Sequence, residues 1–203
     1  MNHALRRLLA RLEITGSGYL HAIGWFDTRA ARLARDVLGN PMPWFTYPAA
    51  AFLAERVRAD WRVLEFGAGM GTAWWSSNVD ACIAIEHDPG WAARVATLTA
   101  AQVLIAGAEN AAAYCAPARG LGLFDVVVVD GLFRDECLRL APELLSAGGV
   151  IVLDDAQRPE YAAAVDDLRT GGMRWLPFHG PQPVSKHAGC TALLYRDGNV
   201  LGI

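Results

Sequence analysis

The stretch Val63–Thr72, Val-Leu-Glu-Phe-Gly-Ala-Gly-Met-Gly-Thr, limits the fold of this chain more than any other. Val63, Leu64 and Phe66 predict a short buried strand. Gly67, Gly69 and Gly71 turn the chain sharply, and Thr72 begins a helix carrying Trp74 and Trp75. Glycine has no Cβ, so it allows positive φ and lets a ligand approach the backbone closely. The N–H groups at the start of the next helix then face that ligand. Without a ligand the same residues make only a tight strand-to-helix turn.

The turn departs from the dinucleotide pattern G-x-G-x-x-G, because its third glycine comes one residue early. Glu65 precedes it. A negative charge there suits a pyrophosphate poorly and a ligand bearing an ammonium group well.

From Trp61 onward, strand and helix patterns alternate. Strands are expected at Arg62–Phe66, Ala81–Glu86, Gln102–Ala106, Phe124–Asp130 and Val150–Asp154, separated by helices. Two more are expected near Met173–Phe178 and at Cys190–Arg196, joined by a polar loop, His179–Gly189. The four valines of the fourth strand indicate a parallel strand covered on both faces. Repeated β-α units imply a doubly wound α/β sheet with helices on both faces, closed by an antiparallel pair. Residues 1–60 read as a helical N-terminal extension or cap, with helices at Thr28–Leu38 and Ala49–Arg58. Residues 61–203 form the main domain.

The chain has 203 residues, 53% of them hydrophobic, with a formal net charge of −3 and no basic block. Nothing in that balance favours nucleic acid or a membrane as the main partner. The four cysteines are widely spaced, as expected of buried free thiols in a reducing cytoplasm. Leu5, Leu8, Leu9 and Leu12 share one helical face among arginines. They predict an amphipathic helix that packs on the domain or in a homodimer, rather than a signal peptide.

In open α/β sheets ligands sit beyond the carboxyl ends of the strands. Those ends carry Glu65 with the glycine turn (Gly67, Ala68, Gly69, Gly71, Thr72), then Glu86-His87, Ala108-Glu109, Asp130 and Asp154-Asp155. Glu86 is placed to accept the hydroxyls of a ribose, and His87 beside it to pack or cap. Ala108 and Glu109 fall where an adenine edge should lie, with helix capping as the rival role for Glu109. Asp130, Asp154 and Asp155 should converge, and like charges so close call for a cation. Oxygen ligands of this kind fit Mg²⁺. The rival reading makes Asp154 or Asp155 a turn cap before Pro159 and leaves Asp130 as a cofactor-binding residue that only faces the bound ligand.

From Pro43 to Arg196 the chain resembles class I S-adenosylmethionine (SAM) dependent methyltransferases. The resemblance rests on E-x-G-x-G-x-G at Glu65–Gly71, the Pro-Trp-Phe-Thr-Tyr-Pro lead-in at Pro43–Pro48, and the Trp74-Trp75 helix. It implies a Rossmann-like seven-stranded sheet of order 3-2-1-4-5-7-6, with SAM as cofactor. The aspartate trio is similar in placement to the ligands of Mg²⁺-dependent O-methyltransferases, although Leu132 and Phe133 stand where those enzymes carry a lysine, acid or histidine. The expected reaction is O-methylation of a small-molecule or sugar hydroxyl, with Mg²⁺ as a candidate assistant. Asp130 and His179 are the candidate catalytic residues, with His187 as a second histidine. Trp44, Tyr47 and Arg134 are the candidate substrate contacts. An aminopropyl transferase, an NAD-dependent enzyme and a non-catalytic partner subunit are the competing readings.

Overall fold

The structure, a computed structural model, describes residues 3–203, and of residues 9 and 12–16 the backbone alone. Four helices precede the sheet: α1 (His3–Ser17), α2 (Tyr19–Ala22), α3 (Trp25–Ala31) and α4 (Tyr47–Ala54). Then come β1 (Arg62–Phe66), α5 (Met70–Ser76), β2 (Ala81–Glu86), α6 (Pro89–Ala96), β3 (Gln102–Ile105) and α7 (Ala111–Cys115). The chain continues through β4 (Phe124–Val129), α8 (Arg134–Leu144), β5 (Leu145–Leu153), α9 (Ala162–Thr170), β6 (Arg174–Pro181) and β7 (Ala188–Tyr195). The strands form one sheet of order β3-β2-β1-β4-β5-β7-β6. The first five run parallel, and β7 pairs antiparallel with both β5 and β6.

Alternation within the central strands builds two cores. Leu64, Phe66, Val127, Val129, Ile151 and Leu153 point to one face and are covered by α7, α8 and α9 through Tyr114, Leu138, Ala141 and Ala164. Val63, Val126, Val128, Val150 and Val152 point to the other and meet Leu53 of α4 and Trp75 of α5. All these strand residues are fully buried, which is why their sequence shows apolar runs rather than polar alternation. Removing one such side chain to alanine costs about 2–5 kcal/mol for Leu or Ile.

The limits of β1 and β2 are those expected, β3 and β4 end one residue early, and α4 lies at Tyr47–Ala54 rather than Ala49–Arg58; larger differences follow in α3, β5 and the β6–β7 hairpin. Helix α3 begins and ends earlier than Thr28–Leu38. Arg32 adopts a left-handed φ of 53° after it, and the Asp36 carboxylate takes the N–H groups of Leu38 and Asn40 at 2.9 and 2.8 Å. A side chain that satisfies its neighbours' backbone in this way replaces helix with turn. Strand β5 starts at Leu145 rather than Val150, and its pairing with β4 shifts register between Phe124 and Val126. The loop expected at His179–Gly189 shrinks to residues 182–187, because His179, Gly180 and Pro181 pair with Cys190, Gly189 and Ala188. Pro177 and Pro181 are accommodated because β6 is the sheet edge.

All four cysteines are buried and free. Leu5 and Leu8 of α1 are exposed, whereas the side chains of Leu9 and Leu12, the rest of the expected apolar stripe, lie outside the described residues. Among the described residues no helix is long and apolar enough to cross a membrane.

Candidate active site

Parallel pairing continues one residue past the strand ends. Asp130 N–H donates to Phe66 O at 2.9 Å, Gly67 N–H to Ile85 O at 2.8 Å, and Asp154 N–H to Val129 O at 3.2 Å. These bonds bring the ends of β2, β1, β4 and β5 to one rim. A cavity of about 760 Å³ lies along it, spanning from His87 and Trp91 past the glycine turn to Asp154 and Gln182. At about 4.8 Å per strand, the step from β2 to β5 covers about 14 Å.

The glycine turn works by close approach. Gly67 has φ +95°, and a Cβ on it would stand 2.7 Å from Gly131 Cα, so the β1 and β4 turns touch backbone to backbone. A Cβ on Gly71 would stand 2.6 Å from Glu65 Oε1. The bare backbone of α5 therefore lies directly on the acid. Glu65 is 2% exposed. Its carboxylate accepts the Thr72 hydroxyl, whose oxygen in turn accepts Gly69 N–H at 2.9 Å. Burial pushes Glu65 up to about 8 against the Thr72 hydrogen bond, with the charges of Asp130 and Glu86 adding to the rise.

Glu86 braces the other side of the turn. Its Oε1 accepts the N–H groups of His87 and Asp88 at 2.8 and 2.9 Å and meets His87 Nδ1 at 2.7 Å. Its Oε2 accepts Ala68 N–H at 3.1 Å. A carboxylate oxygen offers two lone-pair directions, so Oε2, on a residue that lines the cavity, keeps one for a further donor. Asp88 caps α6 through Trp91 N–H at 2.9 Å, and the Trp91 indole N–H donates to Ala68 O at 2.6 Å. The indole is thereby fixed on the cavity wall, with the Arg94 guanidinium 4.9 Å from its ring centre.

At the β4–β5 end, Asp154 is 4% exposed and accepts the Thr191 hydroxyl at 2.6 Å and Gln182 Nε2 at 3.3 Å. Burial first, then the Asp130 charge, raises its pKa well above the ordinary carboxylate range. Asp130 is pushed up to about 6 by burial, against the Arg134 charge. Arg134 binds Gly131 O, Asp154 O and Asp130 O, and its Nη2 lies 2.8 Å from Asp130 Oδ1.

The cavity wall contains Glu65, Gly67, Ala68, Gly69, Gly71, Glu86, His87, Asp130, Asp154, Asp155, Arg134 and Trp44, all singled out by sequence. Several expectations need correction. Thr72 lies behind the wall, holding Glu65. Ala108 and Glu109 do not reach the cavity, and α7 is capped by Asn110, whose Oδ1 accepts Ala113 N–H at 3.0 Å. Tyr47 is buried in an apolar cluster with Ala34, Met42 and Met70 and does not itself line the cavity. His179 sits within β6, with Nε2 4.0 Å from Cys190 Sγ, and neither it nor His187 lines the cavity.

The metal set is also corrected. Asp130 is paired with Arg134, Asp155 with Arg134 and Arg158, and Asp154 is held by Thr191 and Gln182. Asp130 Oδ1, Asp154 Oδ1 and Asp155 Oδ2 each face a protein donor, and among the described residues no group of three or more His, Cys, Asp or Glu is arranged to hold a metal ion. The trio does not fit Mg²⁺.

Sequence reasoning missed Trp91, Arg32, Arg158, Gln182 and Ser185 on the wall. Trp91 carried one signal, since it stands three residues after an Asp-Pro helix start. The others come from the N-terminal segment, the turn after β5 and the β6–β7 hairpin, whose approach no local pattern announces. The hairpin tip is docked on α3: Val184 N–H donates to Thr28 Oγ1 at 3.1 Å and the Trp25 indole N–H to Ser185 O at 3.0 Å.

No protein-family model and no curated protein matches this chain. Solved structures do. A methyltransferase from Pyrococcus furiosus superposes with TM-score 0.59 at 14% identity, covering 88% of this chain and 99% of its own. Cofactor-bound Rv0187 from MTB gives 0.55 at 20% identity over 95% and 97%. The O-methyltransferase TomG from Streptomyces achromogenes, involved in tomaymycin synthesis and solved with SAM, gives 0.51 at 22% identity over 72% and 78%.

The chain has the Rossmann-like methyltransferase fold. The cavity of this methyltransferase fold lies where its strand order reverses, between β1 and β4, as ligand sites of doubly wound sheets do.

Proposed function

We propose that this chain is a SAM-dependent methyltransferase that transfers a methyl group to a hydroxyl of a small molecule. One observation carries the reading. Glu65 and Glu86 flank the glycine turn on the wall of a single cavity, and burial, with the repulsion of neighbouring acids adding to it, raises Glu65, Asp130 and Asp154 on that wall above the ordinary carboxylate range. SAM brings an ammonium and a sulfonium, the charges such a wall favours. Its sulfonium supplies an already activated methyl group.

In this reading Glu65 and the bare backbone of Gly67–Gly71 hold the amino acid end. The open lone pair of Glu86 Oε2 takes a ribose hydroxyl, and Trp91 offers its ring to the base. The acceptor lies at the β4–β5 end, beside the half-exposed Trp44 ring. Asp154 receives the acceptor proton. A buried carboxylate whose pKa is raised is a stronger base than an exposed one, and removal of one proton from an aligned hydroxyl is all the protein must add to positioning. Oxygen as acceptor rests on this residue. Nitrogen-directed relatives often carry an Asn/Asp-Pro-Pro-Tyr loop after the fourth strand, where this chain has Asp130-Gly-Leu-Phe.

The test is a thermal-shift panel of SAM, its demethylated product S-adenosylhomocysteine (SAH), decarboxylated SAM and NAD. SAM and SAH should stabilise the chain and NAD should not. Stabilisation by NAD alone would end the proposal.

A further inference from the structure

We infer that Arg134 is the resident counter-cation of this site, a positioning residue whose guanidinium makes donor binding and methyl transfer independent of a divalent ion. The inference rests on the methyl-donor reading above.

The geometry is specific. Phe133 adopts a left-handed φ of 48° just before α8, and Arg134, the first helical residue, lies against the two strand ends. Its side chain is 13% exposed. Nε donates to Gly131 O at 3.1 Å, Nη1 to Asp154 O at 2.8 Å, and Nη2 to Asp130 O at 2.9 Å and Oδ1 at 2.8 Å. Asp155 Oδ2 lies 3.8 Å from Nη1. One planar group thus joins the β4 end, the β4–α8 turn and the β5 end. Asp155 is itself left-handed, at φ 54°, and its carboxylate lies between Arg134 and Arg158.

A divalent ion at the same place would need several of these oxygens at about 2.0–2.6 Å in a closed shell. Here they face nitrogen donors instead. The fork also does what a spherical ion does not. Its flat array of N–H groups fixes carbonyl and carboxylate directions together. Arg134 and Arg158 balance Asp130 and Asp155, so this end of the cavity presents no excess cation to repel the cationic donor.

Three measurements decide it. In Mn²⁺ titration of the wild-type chain followed by electron paramagnetic resonance, no stoichiometric binding is expected, and a bound ion would overturn the inference whatever the donor does. In calorimetry, SAH should bind equally in chelator and in millimolar Mg²⁺, whereas a tenfold gain with Mg²⁺ would overturn it. Failure of SAH to bind in either medium would remove the donor reading, and this inference with it.

The third measurement uses variants checked for folding by circular dichroism. Arg134→Ala should lose SAH affinity, and millimolar guanidinium should restore it where equal NaCl does not. A folded variant that ignores guanidinium would overturn the positioning role. Arg134→Lys keeps the charge without the fork and, even if the alanine variant fails to fold, should bind SAH about tenfold more weakly with no rescue by Mg²⁺. Unchanged affinity in Arg134→Lys would also contradict the role.

Discussion

The Thr72 hydroxyl donates to the buried Glu65 carboxylate while its oxygen accepts the N–H of Gly69 at 2.9 Å. One small side chain therefore couples the charge of the acid to the conformation of the glycine turn. Thr72→Val removes both bonds at nearly constant volume. It should weaken SAH binding by about tenfold, the scale of losing one hydrogen bond to a charged group. Calorimetry against the wild type reads the change, and an unaltered affinity would contradict the coupling.

Glu65 also sets a pH dependence of stability. Its pKa is about 8 in the folded chain against 4.5 for the free group. The native state therefore binds the extra proton, and stability falls as pH rises from about 4.5 to about 8. For one proton the slope reaches about 1.4 kcal/mol per pH unit. Urea unfolding of Glu65→Gln between pH 5 and 8 should show this component removed, with the variant gaining on the wild type as pH increases.

Donor binding should release protons. Glu65 near 8 and Asp130 near 6 are partly protonated at neutral pH, and a cationic ligand favours their ionised forms. SAM affinity should therefore rise between pH 6 and 8. Calorimetry at pH 7 in buffers of different ionisation enthalpy should report net proton release on binding. Net uptake would reverse the assignment.

Asp154→Asn separates binding from chemistry. SAH affinity should change little, while methyl transfer falls by about 10²–10⁴-fold, the usual contribution of a positioned base. SAH formation from a panel of phenols and sugars is the assay. His179→Ala, at a residue that does not line the cavity, should leave both quantities unchanged.

The central sheet was readable from sequence for a physical reason. Val63–Phe66 and Val126–Val129 are buried on both faces, so their apolar runs end abruptly where the acids and glycines of the rim begin. Glu65, Glu86, Asp130 and Asp154 followed from topology, because parallel strands deliver all their carboxyl ends to one edge. What Arg134 does was not readable, since it depends on one left-handed residue, Phe133, that local propensity disfavours. His179 was misplaced because Pro177 and Pro181 look like loop residues, although an edge strand tolerates both. Gln182 and Ser185 reach the site only through the docking of the hairpin on Trp25 and Thr28.

The most direct test is a crystal structure of the wild-type chain with SAH. The ligand should lie along the rim, its amino acid end at Glu65 and the Gly67–Gly71 turn and a ribose hydroxyl on Glu86 Oε2. SAH bound elsewhere, or a cavity beside Gly69 left empty at saturating ligand, would contradict the account.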